Sequence, residues 1–127
     1  MSKPVLEDLF SFSVRRNRKS YFLVGLSMTL ILAVLGGFAF MGSSNDGGWG
    51  GFLIVGLISL PMLVSGLAVQ TQRCRDFGWT GWAVLLSFIP YIGWIFAVAL
   101  LFIPGTQGPN RYGPDPLAPP FPPRAAF

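Results

Sequence analysis

The sequence predicts an all-α integral membrane protein, a bundle of three transmembrane helices. Of the 127 residues, 52% are hydrophobic and only 11% are charged, whereas a soluble domain carries about 25% charged residues. The chain also contains three uncharged runs of roughly 20 residues, the length that crosses about 30 Å of hydrocarbon. A chain of this length forms one domain at most.

Three segments follow one another along the chain. Residues 1–20 form a basic N-terminal segment, which we expect to lie on the headgroups as a short interfacial helix or turn, or to be a disordered lead-in. Residues 21–103 hold the three spans, at about 21–41, 50–69 and 82–103. Residues 104–127 contain eight of the 11 prolines and should form an extended, largely unpacked tail.

The connections and prolines predict how the spans are arranged. The polar stretch 42–48 predicts a tight turn and an antiparallel pair of helices. Pro61 in the second span and Pro90 in the third predict kinks, at which neighbouring helices satisfy the freed carbonyl. In an alternative topology, the turn Pro90-Tyr91-Ile92-Gly93 makes the third run a re-entrant hairpin, whose halves are too short to span.

The distribution of cations predicts the orientation. Seven of the nine Lys and Arg residues precede the first span or lie between the second and third, which places the N-terminus and that loop in the cytoplasm. The C-terminal tail would then lie outside, unless the third run is re-entrant and returns it to the cytoplasm. The net charge of +4 is thus explained by topology. We expect no binding to nucleic acid, because the interleaved aromatic residues of a single-strand groove are missing.

The residue types exclude several kinds of active site. The chain has no histidine, one cysteine and five Asp or Glu residues, which is too few ligands for zinc or another transition metal. Histidine acid–base chemistry is excluded, and the spans lack the ionisable residues that ion-coupled carriers need. We therefore expect no enzyme, cofactor or metal site. The hypothesis of an enzyme rests only on Asp76 beside two arginines.

Three polar segments are candidates for contact with lipids or a partner. The cations before the first span either bind anionic headgroups or only fix the topology. In the loop after the second span, Asp76 and its arginines either bind a headgroup, a phosphate or a partner, or Asp76 simply pairs with Arg73 or caps the third span. The third segment is the motif Asn110-Arg111-Tyr112-Gly113 in the tail. The predicted contact residues are Arg15, Arg16, Arg18, Lys19, Arg73, Arg75, Asp76, Asn110, Arg111 and Tyr112.

Several motifs resemble the YhaH-type bacterial inner-membrane proteins, a family of unknown function. In chain order they are residues 10–22, Leu60-Pro61, residues 73–82, Ile89-Pro90, Ile92-Gly93, Pro104-Gly105, Gly108, residues 110–113 and Asp115-Pro116. The resemblance covers roughly residues 10–116. It implies a multi-pass protein of the bacterial cytoplasmic (inner) membrane with a compact bundle, and it implies no activity.

Three positions depart from the pattern of that family. Arg75 stands where the family usually has histidine, Gln72 where it has arginine, and Val14 where it has glycine. If that histidine carried chemistry in the family, this chain has lost it. The departure favours a structural role for the loop.

As function, we expect a non-enzymatic membrane interaction or scaffold protein that contacts anionic lipids, a partner protein or a second copy of itself. The alternative is an oligomeric transport or lipid-handling protein, in which spans kinked at Pro61 and Pro90 line a path. Three uncharged spans are too few to build a pore alone, so this alternative requires an oligomer that survives gentle extraction.

Overall fold

The computed structural model describes residues 3–46 and 48–118, with the backbone alone at residues 45 and 46. Its elements are α1 (Arg18–Asp46), α2 (Gly50–Asp76), a 3-10 helix (Gly81–Phe88) and α3 (Ile92–Phe102). Within the described ranges every regular element is helical, and a single β-bridge pairs Asn110 with Gly113. The fold is thus all-α, as predicted.

Helices α1 and α2 form an antiparallel pair that is long enough to cross a membrane. They contain 29 and 27 residues and are about 43 and 40 Å long at 1.5 Å per residue, more than the hydrocarbon core of about 30 Å. Both are apolar enough to span, and most of their large apolar side chains are exposed, as in helices that face lipid. Helix α2 continues through Pro61, so a kink at this proline stays a prediction.

The third apolar run folds back on itself instead of crossing. Its two helices contain eight and 11 residues and are each about 16 Å long, too short for about 30 Å of hydrocarbon. Between them, Ile89 is extended, with φ −87° and ψ 121°, because a residue before proline disfavours the helical region. The prediction of a third transmembrane helix kinked at Pro90 is corrected: the proline lies in a turn, and the run follows the re-entrant alternative.

Tyr91 makes the sharp turn of this hairpin. Its φ of 64° and ψ of −45°, with the Ile92 N–H donating to the Pro90 carbonyl at 2.8 Å, are the pattern of a γ-turn. Gly93 then approaches Ser87 so closely that an added Cβ would lie 2.9 Å from the Ser87 carbonyl carbon. The missing side chain lets α3 return beside the 3-10 helix.

Three segments of the described chain meet at one end of the helix pair, and we call it the polar end. It comprises residues 3–20, the end of α2 with the loop that follows, and residues 104–118. The N-terminal segment forms turns over residues 5–10, and Val5 and Leu9 pack on the core. That core consists of Tyr21, Val24, Val69, Cys74, Phe96 and Leu100.

Residues 104–118 are packed, which differs from the predicted extended tail. The Thr106 N–H donates to the Asp76 carbonyl at 2.7 Å, and Asn110 Nδ2 donates to the Arg75 carbonyl at 2.8 Å. This part of the tail therefore lies at the same end as the N-terminal segment, in disagreement with the prediction that the two lie on opposite sides of the membrane. Residues 119–127, with Arg124, lie outside the described residues.

Candidate functional site

A buried group of five polar side chains lies at the polar end, and we call it the polar cluster. It consists of Arg15, Arg16, Gln72, Arg73 and Asp76, none of which is more than 4% exposed. Gln72 and Arg73 precede Asp76 by four and three residues, so α2 presents all three on neighbouring parts of its surface. Buried charges are tolerated when they are paired or hydrogen-bonded. Arg15, Arg73 and Asp76 form ion pairs, whereas Arg16 is held by hydrogen bonds to neutral oxygens.

Arg15 joins the N-terminal segment to α2 and to the tail. Its guanidinium Nη2 donates to Asp76 Oδ1 at 3.1 Å and to the Asp76 carbonyl at 3.2 Å. In the tail, Nη2 donates to the Thr106 carbonyl at 2.6 Å, and Nη1 donates to the carbonyls of Gly108 at 2.7 Å and Gly113 at 3.2 Å. One side chain thus connects the N-terminal segment to α2, 61 residues later, and to the tail, 91 to 98 residues later.

Arg73 joins α2 to the end of α3 and to the same aspartate. Its Nη1 bonds to Asp76 Oδ2 in an ion pair, while Arg15 occupies the other carboxylate oxygen. Its Nε donates to the Leu100 carbonyl at 2.8 Å, and its Nη2 donates to the Ile103 carbonyl. Both carbonyls belong to the C-terminal end of α3, where a helix leaves its last carbonyls without partners. Arg73 therefore caps α3 with a full positive charge.

Arg16 and Gln72 attach the N-terminal turns to α2. Arg16 Nε donates to Gln72 Oε1 at 2.8 Å, and Arg16 also donates to Ser20 Oγ at 2.6 Å and to the carbonyl of Glu7. Gln72 Nε2 donates to the carbonyls of Asp8 and Ser11, both at 2.6 Å. Burial lowers the pKa of the Arg16 guanidinium, and the charges of Asp8 and Glu7 oppose that shift.

Asp115 organises the turn of the tail beneath the polar cluster. Its carboxylate accepts the Gly108 N–H and the Leu117 N–H, both at 2.9 Å. These two bonds hold the pKa of Asp115 below its usual range, because they stabilise the ionised form. The bond from the Leu117 N–H is the larger cause. The tail carbonyls that Arg15 binds are thereby held in place.

A second group of side chains, formed by Arg75, Arg111 and Tyr112, lies beside the polar cluster. The guanidinium carbons of Arg75 and Arg111 lie 4.9 and 4.7 Å from the centroid of the Tyr112 ring, within the range of a cation–π contact. Arg111 Nη2 donates to the Gly78 carbonyl at 3.2 Å. Two cations therefore contact one ring.

The predicted contact residues are found in two different settings. Arg15, Arg16, Arg73 and Asp76 are buried and occupied by the chain's own groups, and Asp76 pairs with Arg73, one of the structural roles predicted for it. Arg18, Lys19 and Arg111 are exposed, while Arg75, Asn110 and Tyr112 are partly buried. Only the exposed and partly buried residues of the predicted set are therefore available for contact with lipids or a partner.

Sequence reasoning missed the role of Gln72 and of the tail carbonyls. Gln72 stood out only as a departure from a family pattern, although its spacing of four residues before Asp76 places it on the face of α2 that the cluster uses. The carbonyls of Thr106, Gly108 and Gly113 carry no side-chain signal, since any residue supplies a carbonyl.

Comparison with known proteins identifies several relatives. The model of the family described as "Protein of unknown function (DUF805)" matches residues 9–114. Inner membrane protein YhaH of Escherichia coli K12 is 33% identical over 115 residues, which cover 88% of this chain and 92% of YhaH. Inner membrane protein YhaI of the same strain is 35% identical over 121 residues, which cover 88% of this chain and 91% of YhaI. No solved structure gives a significant match.

Proposed function

Since the chain belongs to the DUF805 family, whose relatives YhaH and YhaI are inner membrane proteins, we propose that it is a non-enzymatic membrane interaction protein whose polar end faces the cytoplasm and contacts anionic headgroups. The membership agrees with the resemblance seen in the sequence motifs. The inner membrane location has the support of both relatives.

The observation that carries a non-enzymatic role is the double pairing of Asp76. Each of its carboxylate oxygens is bound by a different arginine. A general base needs a carboxylate oxygen that can reach a substrate proton, and neither oxygen of Asp76 is free for that. The polar cluster is then a device that fixes the shape of the polar end.

The orientation follows from where the cations lie in three dimensions. The eight Lys and Arg residues of the described chain all belong to the polar end, because the folded-back tail brings Arg111 beside Gly78. The segment that joins α1 to α2 contains none. Lys and Arg accumulate on the cytoplasmic side of membrane proteins, so this distribution supports a cytoplasmic polar end.

The headgroup contact is assigned to Arg18 and Lys19. They are neighbours at the start of α1, both exposed, whereas Arg15 and Arg16 beside them are buried. Each exposed cation near an anionic membrane surface contributes about 1 kcal/mol of attraction. The two residues together should therefore enrich anionic lipid around this end of the bundle.

The test measures the ratio of phosphatidylglycerol to phosphatidylcholine that surrounds the protein in nanodiscs. We expect nanodiscs of mixed phosphatidylglycerol and phosphatidylcholine to show anionic enrichment around the wild type, and we expect this enrichment to fall by up to roughly thirtyfold in Arg18→Gln/Lys19→Gln. Ser44→Gln, at the opposite end of α1, is the matched control and should leave it unchanged.

Two outcomes would overturn the lipid contact. The first is equal enrichment in the double variant and in the control. The second is a partner polypeptide, or a second copy of this chain, that covers Arg18 and Lys19 at fixed stoichiometry in native mass spectrometry, because a protein would then occupy the surface assigned to lipid.

A further inference from the structure

Arg75 differs from the arginines of the polar cluster because its side chain has no acceptor. Its guanidinium makes no hydrogen bond or ion pair with the described residues, and its Nε is buried without a partner. A buried donor without an acceptor loses its hydrogen bonds to water and gains none in return, and native proteins leave few such groups. The Nη groups of the same guanidinium also make no hydrogen bond with the described residues and are not buried in this way, so a ligand that accepts hydrogen bonds can reach them.

A cavity of 530 Å³ lies directly against Arg75, and we call it the Arg75 cavity. Its polar side is formed by Arg75, Thr80 and Tyr112, and its apolar side by Trp82, Val84 and Leu85 of the 3-10 helix. Gly81 borders the guanidinium: a Cβ added there would lie 3.3 Å from Arg75 Nε. The same Cβ would lie 2.7 Å from Thr71 Cγ2, so only glycine lets the start of the 3-10 helix pack this closely on Arg75 and Thr71.

The charge around the cavity is positive and uncompensated. Arg75 and Arg111 both contact the Tyr112 ring, and neither forms an ion pair with a carboxylate of the described chain. The nearest candidate in sequence, Asp76, is already bound by Arg15 and Arg73. Two cations beside an open cavity favour an anion, and a guanidinium fork fits the paired oxygens of a phosphate group.

The apolar side restricts the ligand further. Trp82 is 76% exposed and Leu85 54% exposed, and both belong to the hairpin that enters the apolar layer from the polar end. A small hydrophilic anion would leave this surface uncovered. A phospholipid presents a phosphate next to glycerol and acyl carbons, in the order in which the cavity presents Arg75 and then the 3-10 helix.

We propose that the Arg75 cavity binds one anionic phospholipid, with its phosphate on Arg75 and its acyl carbons against Val84 and Leu85. The site does not involve Arg18 or Lys19 and goes beyond the headgroup contact proposed for them. That contact is a diffuse enrichment of anionic lipid, whereas the cavity holds a single molecule at fixed stoichiometry.

The experiment counts the lipids retained by the full-length protein in native mass spectrometry, after release from phosphatidylcholine nanodiscs doped with phosphatidylglycerol. We expect the wild type to retain a single phosphatidylglycerol and Arg75→Gln to retain it about tenfold less, as loss of charge-assisted hydrogen bonds implies. Arg75→Lys keeps the charge without the planar fork and should fall between the two. Because the Arg75 side chain donates no hydrogen bond to residues 3–46 or 48–118, Arg75→Gln should keep the helix content of the wild type by circular dichroism.

The controls separate this site from the general attraction of the polar end. Arg18→Gln/Lys19→Gln should retain the single lipid while it loses the diffuse enrichment. Equal retention in Arg75→Gln and wild type would overturn the proposal. So would loss in both variants alike, which would leave only diffuse electrostatics. Inorganic phosphate tests the other source of the same chemistry. If phosphate binds to the protein in pure phosphatidylcholine discs and displaces phosphatidylglycerol from the doped discs, the cavity is a site for the free ion and the proposal is overturned.

Discussion

At the residue scale, Asp76 is the carboxylate on which the polar end depends. It balances two buried guanidiniums whose other partners are carbonyls of α3 and of the tail. Asp76→Asn keeps the shape of the side chain but removes its charge, which leaves two cations buried without a counter-ion. Breaking a buried ion pair in this way costs about 3–5 kcal/mol. We expect a loss of this size in the free energy of unfolding, measured by denaturant titration in detergent micelles.

Glycine variants check the same prediction without a change of charge. A Cβ at Gly105 would lie 2.8 Å from Asp76 Cγ, so Gly105→Ala must displace the carboxylate and should also destabilise the protein. Gly42→Ala is the matched control, since nothing lies within 4 Å of a Cβ at Gly42. If Gly105→Ala proves as stable as Gly42→Ala, the tail does not pack on Asp76 as described.

Asp115 gives the protein a specific dependence on acid. Its folded pKa is lowered by backbone hydrogen bonds, so its stabilising contribution is fully present above the unfolded value of about 3.9 and is lost as the pH falls through the lower folded value. Asp115→Ala removes this contribution. We expect the variant to lose less stability than the wild type between about pH 6 and pH 3, by denaturant titration at each pH. Parallel losses in the two proteins would contradict the assignment.

At the scale of the elements, the two long helices were predictable and their ends were not. Uncharged runs identify α1 and α2, but α1 extends through the glycine- and serine-containing stretch that was expected to be a turn. The Ser43 and Ser44 hydroxyls bond to carbonyls three residues earlier, at 3.0 and 2.8 Å, which supports that last turn. Helix α2 reaches Asp76 because the polar cluster satisfies the charges of its final turns.

The hairpin of the third run was an open alternative in the sequence because a proline is compatible with either outcome. Pro61 stays within a helix, whereas Pro90 lies in a turn. The local difference is the glycine three residues after Pro90, which allows α3 to approach the backbone of Ser87. No count of apolar residues contains this information, since both arrangements use the same run.

Gly93→Ala tests the hairpin. The added methyl would collide with the Ser87 backbone, and backbone cannot move aside as a flexible side chain can. We expect a loss of about 1–3 kcal/mol in the free energy of unfolding, as for overpacking in a tight core. Gly56→Ala, with open space around its Cβ, is the control. A third run that forms one straight helix would instead gain stability from Gly93→Ala, since alanine favours helix over glycine.

At the scale of the whole molecule, the packing of the tail could not be predicted. Its proline content predicts an extended chain, whereas its links to the bundle are one backbone bond from Thr106 to Asp76 and several side-chain to carbonyl bonds, those of Arg15 across 91 to 98 residues. Such bonds leave no periodic pattern in the sequence. The sequence locates the cations in the polar segments, but it does not distinguish Arg15, which is buried, from Arg18, which is exposed three residues later.

The arrangement of the whole molecule also explains why so much charge is concentrated at one end. With the third run folded back, the N-terminal segment, the α2–3-10 loop and the tail all belong to the same end. The polar cluster then connects the three segments, and the exposed cations surround it. We therefore propose that the tail and the N-terminal segment share the cytoplasmic side of the membrane.

The most direct test of that claim is the accessibility of single cysteines to a membrane-impermeant thiol reagent in spheroplasts. In a Cys74→Ala background, Ala118→Cys reports on the tail and Ser44→Cys on the last turn of α1, and both positions are exposed in the fold. We predict that Ser44→Cys reacts in intact spheroplasts, whereas Ala118→Cys reacts only after the membrane is made permeable. Reaction of Ala118→Cys in intact spheroplasts would mean that the third run crosses the membrane, and it would contradict the account.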